Sequence, residues 1–341
     1  MFKKKEAYGY EKVNVAIVGA TGMVGRTFLK VLEERNFPID NLYLFSSARS
    51  AGSKVEFAGK EYTVEELNEN SFDRDIQIAL FSAGGSISEK YAPIAASKGV
   101  VVVDNSSAWR MDENVPLVVP EVNPEAVKEH KGIIANPNCS TIQAMVPLKP
   151  LHDKYKIKRI VYSTYQAVSG SGVKGTKDLE DGINGVPNQF YPHPIAYNCL
   201  PHIDVFMENG YTKEEMKMIN ETMKILNDYN LKITATTVRV PVVNGHSESV
   251  NVEFENDFEI DELKGVLAGF EGLELVDDIA NNIYPTAFEL SGRDEVFVGR
   301  IRRDFSVDSG INMWVVADNI RKGAATNAVQ IAELLLKYDL V

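Results

Sequence analysis

An apolar strand that leads through a glycine-rich turn into a helix limits the possible folds of this 341-residue chain more than any other feature. The strand spans Val13–Gly19, and helical spacing of apolar residues covers Met23–Arg35. Glycines in such a turn let the backbone approach a pyrophosphate, whose charge then meets the helix N-terminus. The order of strand, turn and helix therefore predicts a Rossmann-type dinucleotide site. Its predicted contacts are Gly19, Thr21, Gly22, Met23, Val24 and Gly25.

The pattern of strands changes near Cys139. Before it, further apolar segments alternate with helical ones, which is typical of a parallel sheet covered on both faces. These segments are Leu42–Phe45, Ile76–Phe81, Val100–Val103 and Ile133–Ala135. After it, longer segments with alternating polarity favour antiparallel strands with one solvated face. These are Ile157–Val168, Lys232–Val243, Ser247–Glu255, Glu295–Phe305 and Met313–Ala317. The prediction is an α/β protein with a parallel-sheet N-terminal domain and a second, α+β domain.

Two helices are predicted outside the first domain's repeating units. Thr212–Tyr229 has helical spacing, and we expect its core-facing stripe to be Met216, Ile219, Met223 and Leu226. Lys322–Tyr338 is amphipathic and should pack back on one of the two domains.

Composition and charge exclude several classes of protein. A formal net charge of -12 argues against a general nucleic-acid-binding surface, so any anionic ligand must be held by a few local cations. Two cysteines cannot build a disulfide framework. The N-terminal segment lacks the apolar stretch of a secretory signal, and no apolar run reaches the ~18 residues that cross a bilayer. We expect a cytoplasmic protein with no membrane or nucleic-acid partner and no metal site.

The end of the second strand distinguishes between the two nicotinamide dinucleotides. A carboxylate at this position would bind the 2′-hydroxyl of NAD. Instead the strand ends in Phe45-Ser46-Ser47-Ala48-Arg49, with no acid. Two hydroxyls and a guanidinium suit a 2′-phosphate, because arginine makes two charge-assisted hydrogen bonds to it. We therefore predict NADP, bound by Ser46, Ser47 and Arg49; the alternative is that Arg49 is an ordinary residue of a surface turn.

One of the two cysteines stands at a strand-to-helix turn, in the segment Asn136-Pro137-Asn138-Cys139-Ser140-Thr141. The positive potential at a helix N-terminus favours the thiolate form of a cysteine. Cys139 is thus a candidate nucleophile, although a small buried residue is the other interpretation of an isolated cysteine.

Four polar segments interrupt the apolar pattern around this cysteine: Ser107–Arg110, Tyr165–Gly172, Glu214–Lys217 and Arg239–Ser247. Together with the glycine turn, the Cys139 segment and Asp318–Ala325, they closely resemble the aspartate-β-semialdehyde dehydrogenase family, in order over nearly the whole chain. The resemblance implies a glyceraldehyde-3-phosphate-dehydrogenase-like fold. Residues 1–138 and 319–341 would form the NADP-binding domain, and residues 139–318 the catalytic and dimerisation domain. It also implies a homodimer, with a dimer of dimers as the alternative.

The resemblance implies a reversible reaction in lysine, threonine and methionine biosynthesis. L-Aspartyl-4-phosphate and NADPH would give L-aspartate-4-semialdehyde, NADP and phosphate. Cys139 would form a thioester that hydride reduces, a role that suits sulfur because it is strongly nucleophilic and later leaves easily. His246 would be the base in one half-reaction and the acid in the other. Gln166 would orient the acyl group.

The resemblance also assigns substrate and cofactor contacts. Arg239 would bind the α-carboxylate, and Glu214 the α-ammonium, with Glu215 as the competing choice. The phosphate would be bound by Lys217, Arg110 and Asn138. At the nicotinamide end of the cofactor we expect Ser169, Gly170 and Asn319. The chain departs from the family at Thr237, where other members commonly carry a cysteine, and we predict a structural role for Cys199.

Two rival functions are left open by the sequence. An N-acyl-glutamyl-phosphate reductase shares the fold and the thioester chemistry, but its acylated substrate nitrogen offers no cation to Glu214. A non-catalytic NADP-binding sensor would need none of Cys139, Gln166 and His246. Reduction of NADP by aspartate semialdehyde, with and without phosphate, separates these possibilities.

Overall fold

A computed structural model describes residues 10–341 of the chain. The segment for which we predict no secretory signal lies almost entirely in residues 1–9, outside the described residues. The strands are β1 (Val13–Val18), β2 (Ile39–Ser46), β3 (Lys54–Phe57), β4 (Lys60–Thr63), β5 (Glu65–Glu66), β6 (Ile78–Phe81), β7 (Val101–Asp104), β8 (Ile133–Ala135), β9 (Ile157–Gln166), β10 (Lys232–Arg239), β11 (His246–Phe254), β12 (Leu273–Leu275), β13 (Val296–Arg303) and β14 (Gly310–Ala317). The helices are α1 (Met23–Glu34), α2 (Gly85–Ser97), α3 (Cys139–Tyr155), α4 (Gly172–Ile183), α5 (Lys213–Leu226), α6 (Ile260–Ala268), α7 (Ala287–Leu290) and α8 (Thr326–Lys337).

The chain divides into two compact units. Of the described residues, those up to Pro137 and Ala324–Val341 form the first unit, and Asn138–Gly323 form the second. Asn138 and residues 319–323, which the sequence analysis assigns to the first domain, group with the second unit.

The first unit is a six-stranded parallel sheet in the order β5-β2-β1-β6-β7-β8. Its core strands are fully apolar, as in β6, because helices cover both faces. The order changes direction at β1, and ligands of such sheets bind at the carboxyl ends of the strands next to this point. The glycine turn directly follows β1. Helix α8 packs into the core of this unit through residues such as Val329 and Leu335.

The second unit contains a mixed sheet in the order β10-β9-β11-β14-β13-β12. The four central strands are antiparallel, as predicted. The prediction is wrong for β10, which runs parallel to β9. The short strand β12, which the sequence pattern does not predict, runs parallel to β13. Long connections that contain helices lead from β9 to β10 and from β12 to β13, and such connections permit parallel pairing. Helices α3, α5 and α6 pack against the sheet.

Neither a membrane span nor a metal cluster is found within residues 10–341. No helix there has the length and apolar character that a bilayer crossing requires. Nor do those residues bring together three histidine, cysteine or acidic side chains that could hold a metal ion.

Candidate active site

Cys139 is the first residue of α3 and is partly exposed. The preceding residue, Asn138, caps this helix: its Oδ1 accepts the backbone N–H groups of Ser140 (3.0 Å) and Thr141 (3.3 Å). Gly323 packs closely against the cysteine, because a Cβ placed on this glycine would lie 2.9 Å from the Cys139 Cβ. The thiol therefore lies at the N-terminus of a capped helix of 17 residues, where the helix dipole favours a negative charge.

Helix α5 presents a buried carboxylate to Asn138. Glu214 Oε1 accepts hydrogen bonds from Asn138 Nδ2 (2.8 Å) and Gln166 Nε2 (3.1 Å), and Glu214 Oε2 accepts one from Lys217 Nζ (3.0 Å). Burial raises the pKa of Glu214, but the Lys217 ammonium and the two amide hydrogen bonds outweigh it and lower the pKa to about 2. Lys217 is also paired with Asp204 at 2.8 Å. Glu214 is thus a carboxylate at neutral pH.

The neighbouring acid has a different role. Glu215 forms a capping box at the start of α5, in which its Oε2 accepts the Thr212 backbone N–H. Its Oε1 accepts the backbone N–H of Thr237 on β10. Both oxygens are therefore bound to backbone groups, and Glu214 is the acid that contacts the other predicted site residues.

His246 is fully buried at the start of β11. Its Nδ1 accepts the backbone N–H of Ala167 at 3.0 Å, so in the neutral ring the proton is on Nε2. Burial and the nearby Arg239 guanidinium lower the pKa of His246 to about 3, against an opposing effect of Glu214. Gln166 Nε2 lies 3.5 Å from His246 Nε2. The imidazole is therefore a neutral hydrogen-bond donor at Nε2.

Arg239 is buried at the end of β10. One of its Nη atoms donates to the Ala167 carbonyl at 2.7 Å, while its Nε has no partner among the described residues. A Cβ placed on Gly170 would lie 3.0 Å from Arg239 Nη1 and 3.2 Å from His246 Nε2. The absence of a side chain at Gly170 thus leaves a space bordered by the guanidinium and the imidazole.

The predicted residues of the nicotinamide end form a separate network in the second unit. Asn319 Oδ1 accepts the Gly245 backbone N–H at 2.9 Å, and Asn319 Nδ2 donates to Ser169 Oγ at 3.0 Å. Since Gly245 directly precedes His246, this network connects the turn after β9 with the start of β11.

The glycine turn in the first unit fits a dinucleotide. A Cβ on Gly19 would lie 2.3 Å from the Ser82 carbonyl oxygen, and one on Gly25 would lie 2.2 Å from the Gly19 oxygen, so side chains are excluded at both positions. No side chain caps α1, and its first turn has no acid, which leaves its N–H groups for an anion. Thr21 Oγ1 lies 2.9 Å from Ser46 Oγ and links the turn to the end of β2.

The remaining cofactor and phosphate candidates of the first unit differ in their exposure to solvent. Ser47 and Arg49 are exposed, and no hydrogen bond or ion pair joins Arg49 to another described residue. Arg110 is buried and donates to the carbonyls of Asn136 and Asn105, both at 2.9 Å.

Sequence reasoning missed two supporting acids. Glu221 is buried on α5 and accepts the Asn138 backbone N–H at 2.7 Å, and Asp204 pairs with Lys217. A signal existed for Glu221, because it lies two helical turns after Glu214 and so shares its face.

Comparison with known proteins places this architecture in a class. Residues 14–130 match the family model described as "Semialdehyde dehydrogenase, NAD binding domain", and residues 148–322 match "Semialdehyde dehydrogenase, dimerisation domain". The chain is therefore an oxidoreductase of the semialdehyde dehydrogenase class, with a Rossmann-like NAD(P)-binding domain.

Similar proteins specify the family. Aspartate-semialdehyde dehydrogenase of Aquifex aeolicus is 62% identical over 96% of this chain and 99% of its own length. The crystal structure of aspartate semialdehyde dehydrogenase II complexed with ASA from Vibrio cholerae has a TM-score of 0.91 and 51% identity, over 96% of this chain and 99% of that one. The crystal structure of aspartate semialdehyde dehydrogenase with NADP from Candida albicans has a TM-score of 0.79 and 26% identity, over 96% and 100%. The chain belongs to the aspartate-semialdehyde dehydrogenase family.

Proposed function

We propose that the enzyme reduces L-aspartyl-4-phosphate to L-aspartate-4-semialdehyde with NADPH, reversibly and through a thioester on Cys139. The observation that supports this most is a pair of buried groups of opposite charge in the same unit as Cys139. Glu214 is an anion bound to the residue that precedes Cys139, and Arg239 has a buried Nε without a partner among the described residues. A small zwitterion with one ammonium and one carboxylate matches this pair. We propose lysine, threonine and methionine biosynthesis as the pathway, which follows from the product.

Substrate recognition follows from the same charges. Arg239 binds the α-carboxylate in a bidentate pair, which gives the Arg239 Nε an acceptor. Glu214 takes the α-ammonium. An N-acyl-glutamyl-phosphate has an acylated, uncharged nitrogen, so the Glu214 carboxylate disfavours it as a substrate. Lys217, Arg110 and the second amide proton of Asn138 take the phosphate. Because Lys217 already forms an ion pair with Asp204, the phosphate and Asp204 share the Lys217 ammonium group.

The chemical steps use the thiolate and the neutral imidazole. The Cys139 sulfur attacks the acyl carbon, the bond from that carbon to the phosphate oxygen breaks, and phosphate leaves and takes up a proton. His246 donates its Nε2–H to the acyl oxygen as negative charge develops there, and Gln166 orients the acyl group. When bound, NADPH would supply the hydride that reduces the thioester. When the oxyanion collapses, the aldehyde is released and Cys139 is again a thiolate.

This assignment modifies the role predicted for His246 from the sequence. A base at Nε2 needs a lone pair there, but Nδ1 accepts a hydrogen bond from the Ala167 N–H, which puts the ring proton on Nε2. We therefore propose that His246 is a hydrogen-bond donor, and that the helix N-terminus makes Cys139 a thiolate without it.

The cofactor of the proposed reaction is NADP. Its pyrophosphate would lie on the turn formed by Gly19, Thr21, Gly22, Met23, Val24 and Gly25, and its 2′-phosphate on Ser46, Ser47 and Arg49. Ser169, Gly170 and Asn319 would serve the nicotinamide end. Loss of a charged phosphate contact costs about 1.5–3 kcal/mol, so Arg49→Ala should weaken NADP binding roughly 10- to 100-fold and leave NAD binding nearly unchanged. Equal losses for both dinucleotides would contradict this assignment.

The proposed reaction is tested by trapping its intermediate. The enzyme is mixed with aspartyl phosphate without NADPH and quenched in acid, and the peptides are analysed by mass spectrometry. We expect an acyl group on the Cys139 peptide, and turnover lower by several orders of magnitude in Cys139→Ser with NADPH binding intact. The control Cys199→Ala, at the other cysteine, should keep wild-type turnover. An adduct on Cys199, or an active Cys139→Ser enzyme, would exclude the mechanism, and turnover of N-acetyl-glutamyl phosphate instead would support the rival reductase.

We also propose that the functional unit is a homodimer, with association of two dimers as the alternative. The match to a dimerisation domain supports it. So does a surface of the second unit, defined here as the open sheet face. It carries Tyr165 of β9 and Trp314 of β14, whose rings lie 5.4 Å apart and are partly exposed.

A further inference from the structure

A buried carboxyl group that the proposed reaction does not use lies next to His246 in the sheet. Glu248 is two residues after His246 on β11, so both side chains project from the same face. Glu248 is 0% exposed, and neither of its carboxyl oxygens has a hydrogen-bond partner among the described residues. An isolated carboxylate in such a place would be very costly, so the group must have a different form or a different partner.

Among the described residues, no cation affects the pKa of the Glu248 carboxyl group. In the sheet its neighbours are Thr164 on β9 and Val315 on β14. Of the titratable groups on β9, Tyr162 has a pKa that Glu248 helps to raise, and its hydroxyl is 3.0 Å from that of Thr222. Burial raises the pKa of Glu248 well above its usual value, and the proximity of the Gln143 side chain opposes this only in part.

Gln143 approaches from the helix that carries the nucleophile. It lies one turn after Cys139 on α3 and is 0% exposed. Its Nε2 is 3.4 Å from the carbonyl oxygen of His246, while its Oε1 is buried and accepts no hydrogen bond from the described residues. Gln143 Oε1 is thus a buried acceptor without a donor, and Glu248 is a buried acid without a hydrogen-bond partner among the described residues.

We propose that Glu248 is a positioning residue in the form of a neutral carboxylic acid, which donates its proton to Oε1 of Gln143. Gln143 then bridges the acid and the His246 carbonyl. This bridge would hold the start of β11, with His246, at a constant distance from the N-terminal turn of α3, with Cys139. The kinetic consequences rest on the proposed function of those two residues, whereas the protonation of Glu248 does not.

Infrared spectroscopy tests the protonation directly. At pH 8 the wild-type enzyme should show the carbonyl stretch of a protonated carboxyl group, shifted in ²H₂O, and Glu248→Gln should lack it. The control is Glu253→Gln on the same strand, where the acid is exposed enough to pair with Lys158 and should be ionised. The spectrum of Glu253→Gln should therefore keep the carbonyl band of Glu248. A wild-type enzyme without the band, or a band that survives in Glu248→Gln, would overturn the proposal.

Kinetics test the positioning role. Glu248→Leu keeps the volume but cannot donate, and we expect kcat for aspartate semialdehyde to fall about 10- to 100-fold with little change in the KM for NADP. Gln143→Leu should produce the same loss, and combining the two substitutions should add little. Glu248→Gln restores a donor and should recover most of kcat. Full activity in Glu248→Leu would refute the positioning role, and a wild-type enzyme inactive on aspartate semialdehyde would instead refute the proposed function while the infrared result stands.

Discussion

At the scale of single residues, the buried charges of the active site determine one another's protonation. The Arg239 guanidinium helps keep His246 neutral, and Lys217 helps keep Glu214 ionised. A substrate carboxylate on Arg239 would offset the first of these effects. The charge state of the site is therefore a property of the set of residues, and each substitution is expected to alter its neighbours as well.

The neutrality of His246 has a consequence for acid stability. Its pKa is about 3 in the folded protein, below the ordinary 6.5, so the unfolded state binds a proton that the folded state does not. The stability that depends on the neutral ring is complete above pH 6.5 and is lost progressively as the pH falls toward 3. We expect His246→Gln to remove a slope of about 1.4 kcal/mol per pH unit in this window. Urea unfolding of both proteins between pH 4 and 7 measures it, and parallel curves would show that His246 takes up its proton in the folded state.

The two adjacent acids of α5 should separate function from stability. Glu214→Gln removes the anion proposed to bind the ammonium, so kcat/KM for aspartate semialdehyde should fall about 10- to 100-fold. Both Glu215 oxygens accept a backbone N–H, and Glu215→Gln turns one of them into an NH2 donor that leaves one N–H without its acceptor. It should therefore cost about 1–2 kcal/mol of stability, with kinetics close to wild type. Steady-state kinetics and thermal unfolding of the pair provide the test. The reverse order of kinetic effects would move the ammonium site to Glu215.

At the scale of elements, the buried face of helix α5 is set by its hydrogen-bonded acids and not by the predicted apolar stripe. Of the predicted stripe only Ile219 is buried, whereas Met216, Met223 and Leu226 are partly exposed, so the predicted orientation is wrong. The buried residues of α5 include Glu214, Glu215, Met218, Ile219, Glu221, Thr222 and Ile225. Three acids accept hydrogen bonds on this face, and their partners make its burial favourable.

The turn after β9 should tolerate no side chain at Gly170. In Gly170→Ala the new methyl group would crowd Arg239 Nη1 and His246 Nε2, and substrate binding should weaken by about 1–3 kcal/mol. The matched control is Gly265→Ala in α6, where a Cβ meets no atom within 4 Å. It should leave the kinetics unchanged and stabilise the helix slightly. An unchanged KM for aspartate semialdehyde in Gly170→Ala would show that the substrate does not occupy this space.

At the scale of the whole molecule, the open sheet face leads to a prediction about assembly. A charge at Tyr165 would be buried against the second copy if this face forms the dimer, so Tyr165→Glu should shift the protein from dimer to monomer. Tyr229→Glu, at another exposed tyrosine of the second unit, is the control and should stay dimeric. Analytical ultracentrifugation at matched concentrations measures both. A dimeric Tyr165→Glu protein would place the interface elsewhere.

Local sequence determined the features that depend on consecutive residues. The glycine turn, the strand before it and the helix after it lie where the pattern predicts, because tight turns and continuous apolar strands depend on neighbouring side chains. The position of Cys139 at a helix N-terminus was predictable for the same reason. The family was recognisable because its motifs occur in order along the chain.

Only the tertiary structure decided what distant residues do to one another. The family's spacing favours Glu214 over Glu215, but it does not show that Glu214 contacts Asn138 and Gln166 whereas Glu215 binds the Thr237 backbone. The protonated nitrogen of His246 depends on a backbone N–H 79 residues away in sequence. Hydrogen-bond partners, burial and hence protonation are set by packing between elements, and no local pattern encodes them.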